Sequence, residues 1–119
     1  MAGLAVLDTG ASMSAVDRSV ASELELCSTG VARWSAISAT GQRPESPLRR
    51  ARIGVVGDPR LWEMDLIEVP ALTTAVVGIP ILALLGWDFL AVCRLTCDGP
   101  AGTFSLELPA PVSTGRRRR

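Results

Sequence analysis

The sequence predicts an all-β domain, a small closed barrel-like sheet with one or two short helices. Three observations carry that expectation. Apolar residues come in short runs, each ended by Gly, Pro, Ser, Thr or Asp. Helical spacing is confined to two brief stretches, residues 18–24 and 87–92. The length of 119 residues fits one domain, its two-layer core filled by Leu, Val, Ile and Ala because only two Phe and three Trp are present. A hydrophobic share of 48% excludes a chain that is disordered over most of its length.

Taken in order, Leu4 to Leu7 is an apolar run that stops at Asp-Thr-Gly, the pattern of a buried strand entering a tight turn. Asp17 reads as the N-cap of a helix over Arg18 to Leu24, with Val20 and Leu24 on one face. Val31 to Ile37 is a strand candidate, and Ser38 to Pro47, rich in Ser, Thr, Gly and Pro, is a loop or hairpin tip. Ala51 to Val56 and Leu61 to Val69 are strands flanking a Gly57-Asp58-Pro59-Arg60 turn. In the second of these, Trp62, Met64, Leu66 and Glu68 share one largely apolar face. Ile81 to Leu85 is a short apolar strand, and Trp87 to Val92 a short helix with Asp88 near its start. A final hairpin pairs Arg94 to Cys97 with Thr103 to Leu108. The domain is expected over residues 1–108, followed by a Pro/Arg-rich tail at 109–119.

The absences narrow the chemistry. The chain has no Lys, His, Tyr or Asn. Without histidine there is no Ser-His-Asp or Cys-His catalysis and no imidazole-ligated metal, and without lysine no Schiff base or Walker-type phosphate lysine. Carboxylates, hydroxyls, thiols, arginine and backbone remain. The formal charge is zero, but four of the twelve arginines are Arg116 to Arg119, so the preceding body is acidic. An acidic body is not a nucleic-acid-binding surface, and none is expected. Cys27, Cys93 and Cys97 lack the spacing of a metal set and read as small hydrophobes in a reducing compartment. Ala71 to Trp87 carries no charge, but Gly78, Pro80 and Gly86 interrupt it. It reads as strands and turns rather than a membrane span. The start lacks a basic region and a cleavage site, so a soluble, cytoplasmic protein without cofactor or metal is expected.

The sharpest local feature is Leu7-Asp8-Thr9-Gly10-Ala11-Ser12. An acid at the end of a buried strand is costly unless hydrogen-bonded, and the Thr and Gly that follow suit a turn converging on its carboxylate. Alone, the motif fits equally well a strand-ending Asx-turn without chemistry. The second half of the chain adds Ala83-Leu84-Leu85-Gly86-Trp87-Asp88-Phe89-Leu90. Together the two motifs resemble the retropepsin-like aspartic proteases, single-lobe enzymes whose hallmark is Asp-Thr/Ser-Gly-Ala followed by two apolar residues and Gly before a short helix. In the cellular branch the second motif often reads Leu-Leu-Gly-x-Asp-x-Leu, matched here at residues 84–90.

The resemblance implies an aspartic endopeptidase in which Asp8 is catalytic and Thr9, Gly10 and Ala11 support its loop. Thr9 would donate its hydroxyl across a two-fold axis. Leu84, Leu85 and Gly86 would form the scaffold loop behind Asp8, and Ser38, Ala39, Thr40 and Gly41 the tip of a flap over an extended peptide. Trp34 is either a substrate-pocket wall or core. Asp88 reads as a helix cap or loop anchor rather than a reactant. One Asp-Thr-Gly supplies half a dyad, and Asp98-Gly99-Pro100 sits in a turn context, so the second carboxylate is expected from a second copy. Family members usually carry a further strand before the Asp-Thr-Gly strand, whereas only seven residues precede Asp8. That departure leaves an alternative: a truncated or catalytically inactive domain that binds peptides or proteins.

Overall fold

The computed structural model describes residues 1–33, 45–70, 72 and 79–109. Eight strands and two short helices follow one another along these residues: β1 (Leu4–Leu7), β2 (Ala15–Asp17), α1 (Arg18–Glu23), β3 (Cys27–Arg33), β4 (Glu45–Ile53), β5 (Trp62–Val69), β6 (Ile81–Leu85), α2 (Trp87–Leu90), β7 (Arg94–Asp98) and β8 (Thr103–Glu107). The all-β expectation holds. The predicted flap tip at Ser38 to Gly41, Trp34 and the tail beyond Pro109 lie outside the described residues.

Six strands form one sheet in the order β1-β6-β2-β5-β4-β3, and β7 pairs with β8 as a separate hairpin. The sheet is open, which corrects the closed barrel expected from the sequence. A barrel needs its outermost strands joined. Here β1 and β3 are the two edges, each with one neighbour among the described residues. A succession of short strands dictates strand number, but closure depends on which edges meet. Being an edge also explains β1, which was expected to be buried: Leu4 and Val6 are each 39% exposed.

The crossing that positions the site comes from the connection between β1 and β2. Strand β1 runs parallel to β6, with Leu7 opposite Leu85. Strand β2 runs antiparallel to β6 on its other side, with Ala15 opposite Leu84. The chain from Asp8 to Ser14 therefore has to pass over the end of β6, where Leu85 gives way to Gly86 and α2. Beyond it, β2 pairs in parallel with β5, leaving all three β2 residues buried. So short a strand carries no periodicity, and no pattern in the sequence marks it.

Other boundaries shift for local reasons. Strand β3 begins four residues before the expected Val31, because Gly30 (φ 149°) takes up a register shift after Ser28 that no residue with a Cβ accommodates easily. Strand β4 begins at Glu45, inside the expected loop. Its Pro47 lies opposite Val31, beyond the last β5 pairing at Leu48, so β4 has one neighbour there and a missing N–H costs least. Asp17 caps α1 as expected, accepting the Ser19 N–H at 2.8 Å, but Val20 and Ala21 are the buried residues while Leu24 is exposed. Cys27 and Cys97 are exposed and only Cys93 is partly covered, so the thiols are not the buried hydrophobes expected.

Two apolar clusters fill the interior. Val16, Val20, Ala21 and Leu66 make one, and Leu85, Phe89 and Leu90 the other; Ile53 and Met64 pack against both. Trp62 meets Phe89 edge-on, centroids 6.2 Å apart. The one acid on the apolar face of β5, Glu68, is 8% exposed and is paired with Arg49 at 3.0 Å and Arg18 at 3.3 Å. Buried carboxylates persist when compensated in this way.

Candidate active site at the chain crossing

A loop laid across a strand end presents backbone groups that no sheet ladder satisfies, so the strand end and the helix after it have to supply their partners. Each part of the crossing is anchored. The Asp8 N–H donates to Leu85 O at 2.9 Å, extending the β1–β6 pairing by one bond. The Trp87 and Asp88 N–H groups, free because they open α2, donate to Ala11 O at 2.8 Å and Ser12 O at 3.2 Å. Ser14, fully buried, donates its hydroxyl to Asp88 Oδ1 at 2.6 Å and accepts the Gly86 N–H at 3.0 Å. Its own N–H reaches Asp88 Oδ2 at 2.9 Å. Asp88 is thus a loop anchor and not a helix cap; Gly86 is the N-cap residue and makes no side-chain bond.

Gly86 is dictated by this crossing. A Cβ there would lie 2.7 Å from Ala11 O and 2.8 Å from Met13 O, both backbone atoms, the first of them held by the Trp87 N–H. Leu85 is buried beneath the loop, and Leu84 pairs with Val6 on one side and Ala15 on the other. Leu84, Leu85, Gly86, Asp8, Thr9, Gly10 and Ala11, singled out from two distant motifs, therefore come together in space. Ser14 and Trp87 belong to the same cluster and were missed. The Trp87 indole N–H donates to Thr9 O at 2.6 Å. Nothing in a lone Ser beside Ala-Val-Asp announces a buried anchor.

Asp8 itself is only partly covered. Its Oδ1 accepts the Gly10 N–H at 2.8 Å in an Asx-turn. No arginine bonds it among the described residues, and the Thr9 hydroxyl has no hydrogen-bond partner among them. A Cβ at position 10 would stand 3.2 Å from Asp8 Oδ1, so Gly10 lets the backbone approach the carboxylate. Asp98, the other acid followed by Gly, accepts the Ala101 N–H at 3.1 Å and closes the β7–β8 turn, as its context suggested. Among the described residues, the arrangement offers a carboxylate with one unengaged oxygen, its turn anchored on β6 and α2, beside the edge strand β1. Such a group can act as a base toward water or, protonated, as an acid toward a carbonyl.

No curated protein and no solved structure matches the chain. An aspartyl protease family model matches residues 3–89. That span runs from β1 through the crossing loop to the strand end and helix that anchor it, and so takes in both halves of the site. With most of its length inside the match, and its Asp-Thr-Gly loop seated on the Leu-Leu-Gly strand end, the chain belongs to the aspartyl protease family of the retropepsin-like clan.

Proposed function

We propose that two copies of this chain assemble into an aspartic endopeptidase in which the two Asp8 carboxylates share a water molecule. The observation that carries this reading is the state of Asp8: one oxygen is held by Gly10, the other is unengaged, and no second acid joins it among the described residues. Half a dyad on a firm base implies its other half across a two-fold axis. Two carboxylates about 3 Å apart cannot both ionise near neutrality, so one stays protonated.

The ionised member takes a proton from the shared water as its oxygen attacks the peptide carbonyl carbon. The protonated member gives its proton to the carbonyl oxygen, and a tetrahedral gem-diol forms. Proton transfer to the amide nitrogen then lets the C–N bond break. No covalent enzyme intermediate, imidazole or metal is required, in keeping with a chain that has no histidine. Thr9, whose hydroxyl has no partner among the described residues, would bond across the axis, and the substrate would lie extended in the cleft, hydrophobic residues flanking the cut.

Cleavage of hydrophobic peptides at mildly acidic pH tests the reading, with sedimentation measured on the same sample. Activity that rises with the dimer fraction and vanishes in Asp8→Asn is expected; activity in a strictly monomeric protein would sink it. A second reading has its own observation. The outer edge of β1 is unpaired among the described residues, and Ala5 and Leu7 line a groove of about 510 Å³ with Leu95, Cys97 and Phe104. Peptide capture by strand addition at that edge, without cleavage, would favour a binding module.

A further inference from the structure

Trp87 stands at the one position of the α2 motif that the family pattern leaves open between Gly86 and Asp88. It is 48% exposed, so burial of its ring does not account for it. What it does make is a 2.6 Å hydrogen bond from its indole N–H to Thr9 O, across the chain crossing. The Thr9 carbonyl and the Gly10 N–H belong to one peptide unit, which is planar and trans, so the oxygen and the hydrogen point in opposite directions and move together. That Gly10 N–H is the group bonded to Asp8 Oδ1 at 2.8 Å. A continuous line therefore runs from the indole N–H through the Thr9–Gly10 peptide to the Asp8 carboxylate.

We propose that Trp87 is a positioning residue of the active site, acting through the Thr9–Gly10 peptide to fix the N–H that orients Asp8. The inference rests on the peptidase reading for its consequence, but the relay itself does not require turnover. The remaining loop anchors fall elsewhere: Leu85 holds the Asp8 N–H, Trp87 and Asp88 N–H groups hold Ala11 and Ser12, and Asp88 holds Ser14. Among the described residues, only the indole bond grips the carbonyl of the peptide that touches the carboxylate. Hydrogen bonds in a chain polarise one another, so an indole donor on the carbonyl also makes the Gly10 N–H a better donor to an ionised Asp8.

Trp87→Phe tests this, since it removes the donor and keeps an aromatic ring on a half-exposed site. Exchange of the Gly10 amide hydrogen, followed by NMR, is expected to accelerate about three- to tenfold, the worth of one net hydrogen bond. Peptide turnover is expected to lose a similar factor in kcat with KM within about twofold. Val92→Ala, an exposed change just beyond α2 that touches none of these groups, should move neither quantity. Unchanged Gly10 exchange in Trp87→Phe would overturn the relay, and faster exchange with unaltered kcat would overturn its role in positioning Asp8. Should the wild type prove inactive, that result counts against the peptidase reading, while Gly10 exchange still decides the relay.

Discussion

Two turns in this molecule begin alike and end differently. At Asp8 and at Asp58, a side-chain carboxylate accepts the N–H of the residue two positions on, at 2.8 Å from Gly10 and 2.9 Å from Arg60. At Asp58 the same arginine closes a two-pronged ion pair, Nε to Oδ1 at 3.0 Å and Nη2 to Oδ2 at 2.7 Å, and holds the carboxyl down at about 2. Every acceptor there is satisfied locally, by residues adjacent in sequence. At Asp8 the local partner is a glycine, which contributes an N–H and nothing else. The firmness of that turn comes instead from β6 and α2, distant in sequence. An Asx-turn becomes a site when its carboxylate is held from below and left unoccupied above; supplying it with its own cation turns it back into a surface fastening.

The comparison is broken most sharply by removing each carboxylate in turn. Asp8→Asn is expected to lower peptide hydrolysis by about 10³-fold or more, with the fold intact by circular dichroism. Asp58→Asn should leave the rate within about twofold. The foundation of the Asp8 turn is tested next by Gly86→Ala, which forces a Cβ to 2.7 Å from Ala11 O. Because the atoms that Cβ meets are backbone and not the end of a flexible side chain, a loss of about 3 kcal/mol in denaturant unfolding is expected. Ser14→Ala removes a buried hydroxyl that both donates to Asp88 and accepts from Gly86. It leaves those partners unsatisfied, for about 2 kcal/mol in the same measurement.

The smallest effect belongs to the Asp58 turn. With the carboxyl pulled from 3.8 to about 2 by Arg60, the folded state binds that proton less readily than the unfolded chain. Its stabilising contribution is therefore present above pH 3.8 and is lost as pH falls from there through about 2. Arg60→Ala should return the Asp58 titration, read by NMR, toward 3.8, with little change in stability at neutral pH because the pair is solvent-screened.

Much of this was legible in the residues. Strands β1, β5, β6, β7 and β8 appear where apolar runs meet turn residues, and the two motifs that carry Asp8 and Gly86 meet at the chain crossing. Three things were hidden, each for a physical reason. Strand β2 is three residues long, below the length at which alternation can be seen, yet it sits between β6 and β5. Whether the sheet closes depends on strand order, and short strands fit either an open or a closed sheet. Ser14 and Trp87 act on partners 74 and 78 residues away, and no local pattern encodes the far end of such a bond.

The passage of the Asp8 loop over the end of β6 also dictates when the site can exist. Loop closure over so many residues is slow and entropically costly, and contacts of high sequence separation form late in folding. A chain emerging from synthesis displays Asp8 early, but the strand and helix that brace it are made only after residue 81. Until then the aspartate is an ordinary surface acid on an unanchored segment. The order of synthesis thus leaves the Asp8 turn unbraced until β6 and α2 have been made, so the geometry of the crossing is among the last features of the fold to be completed.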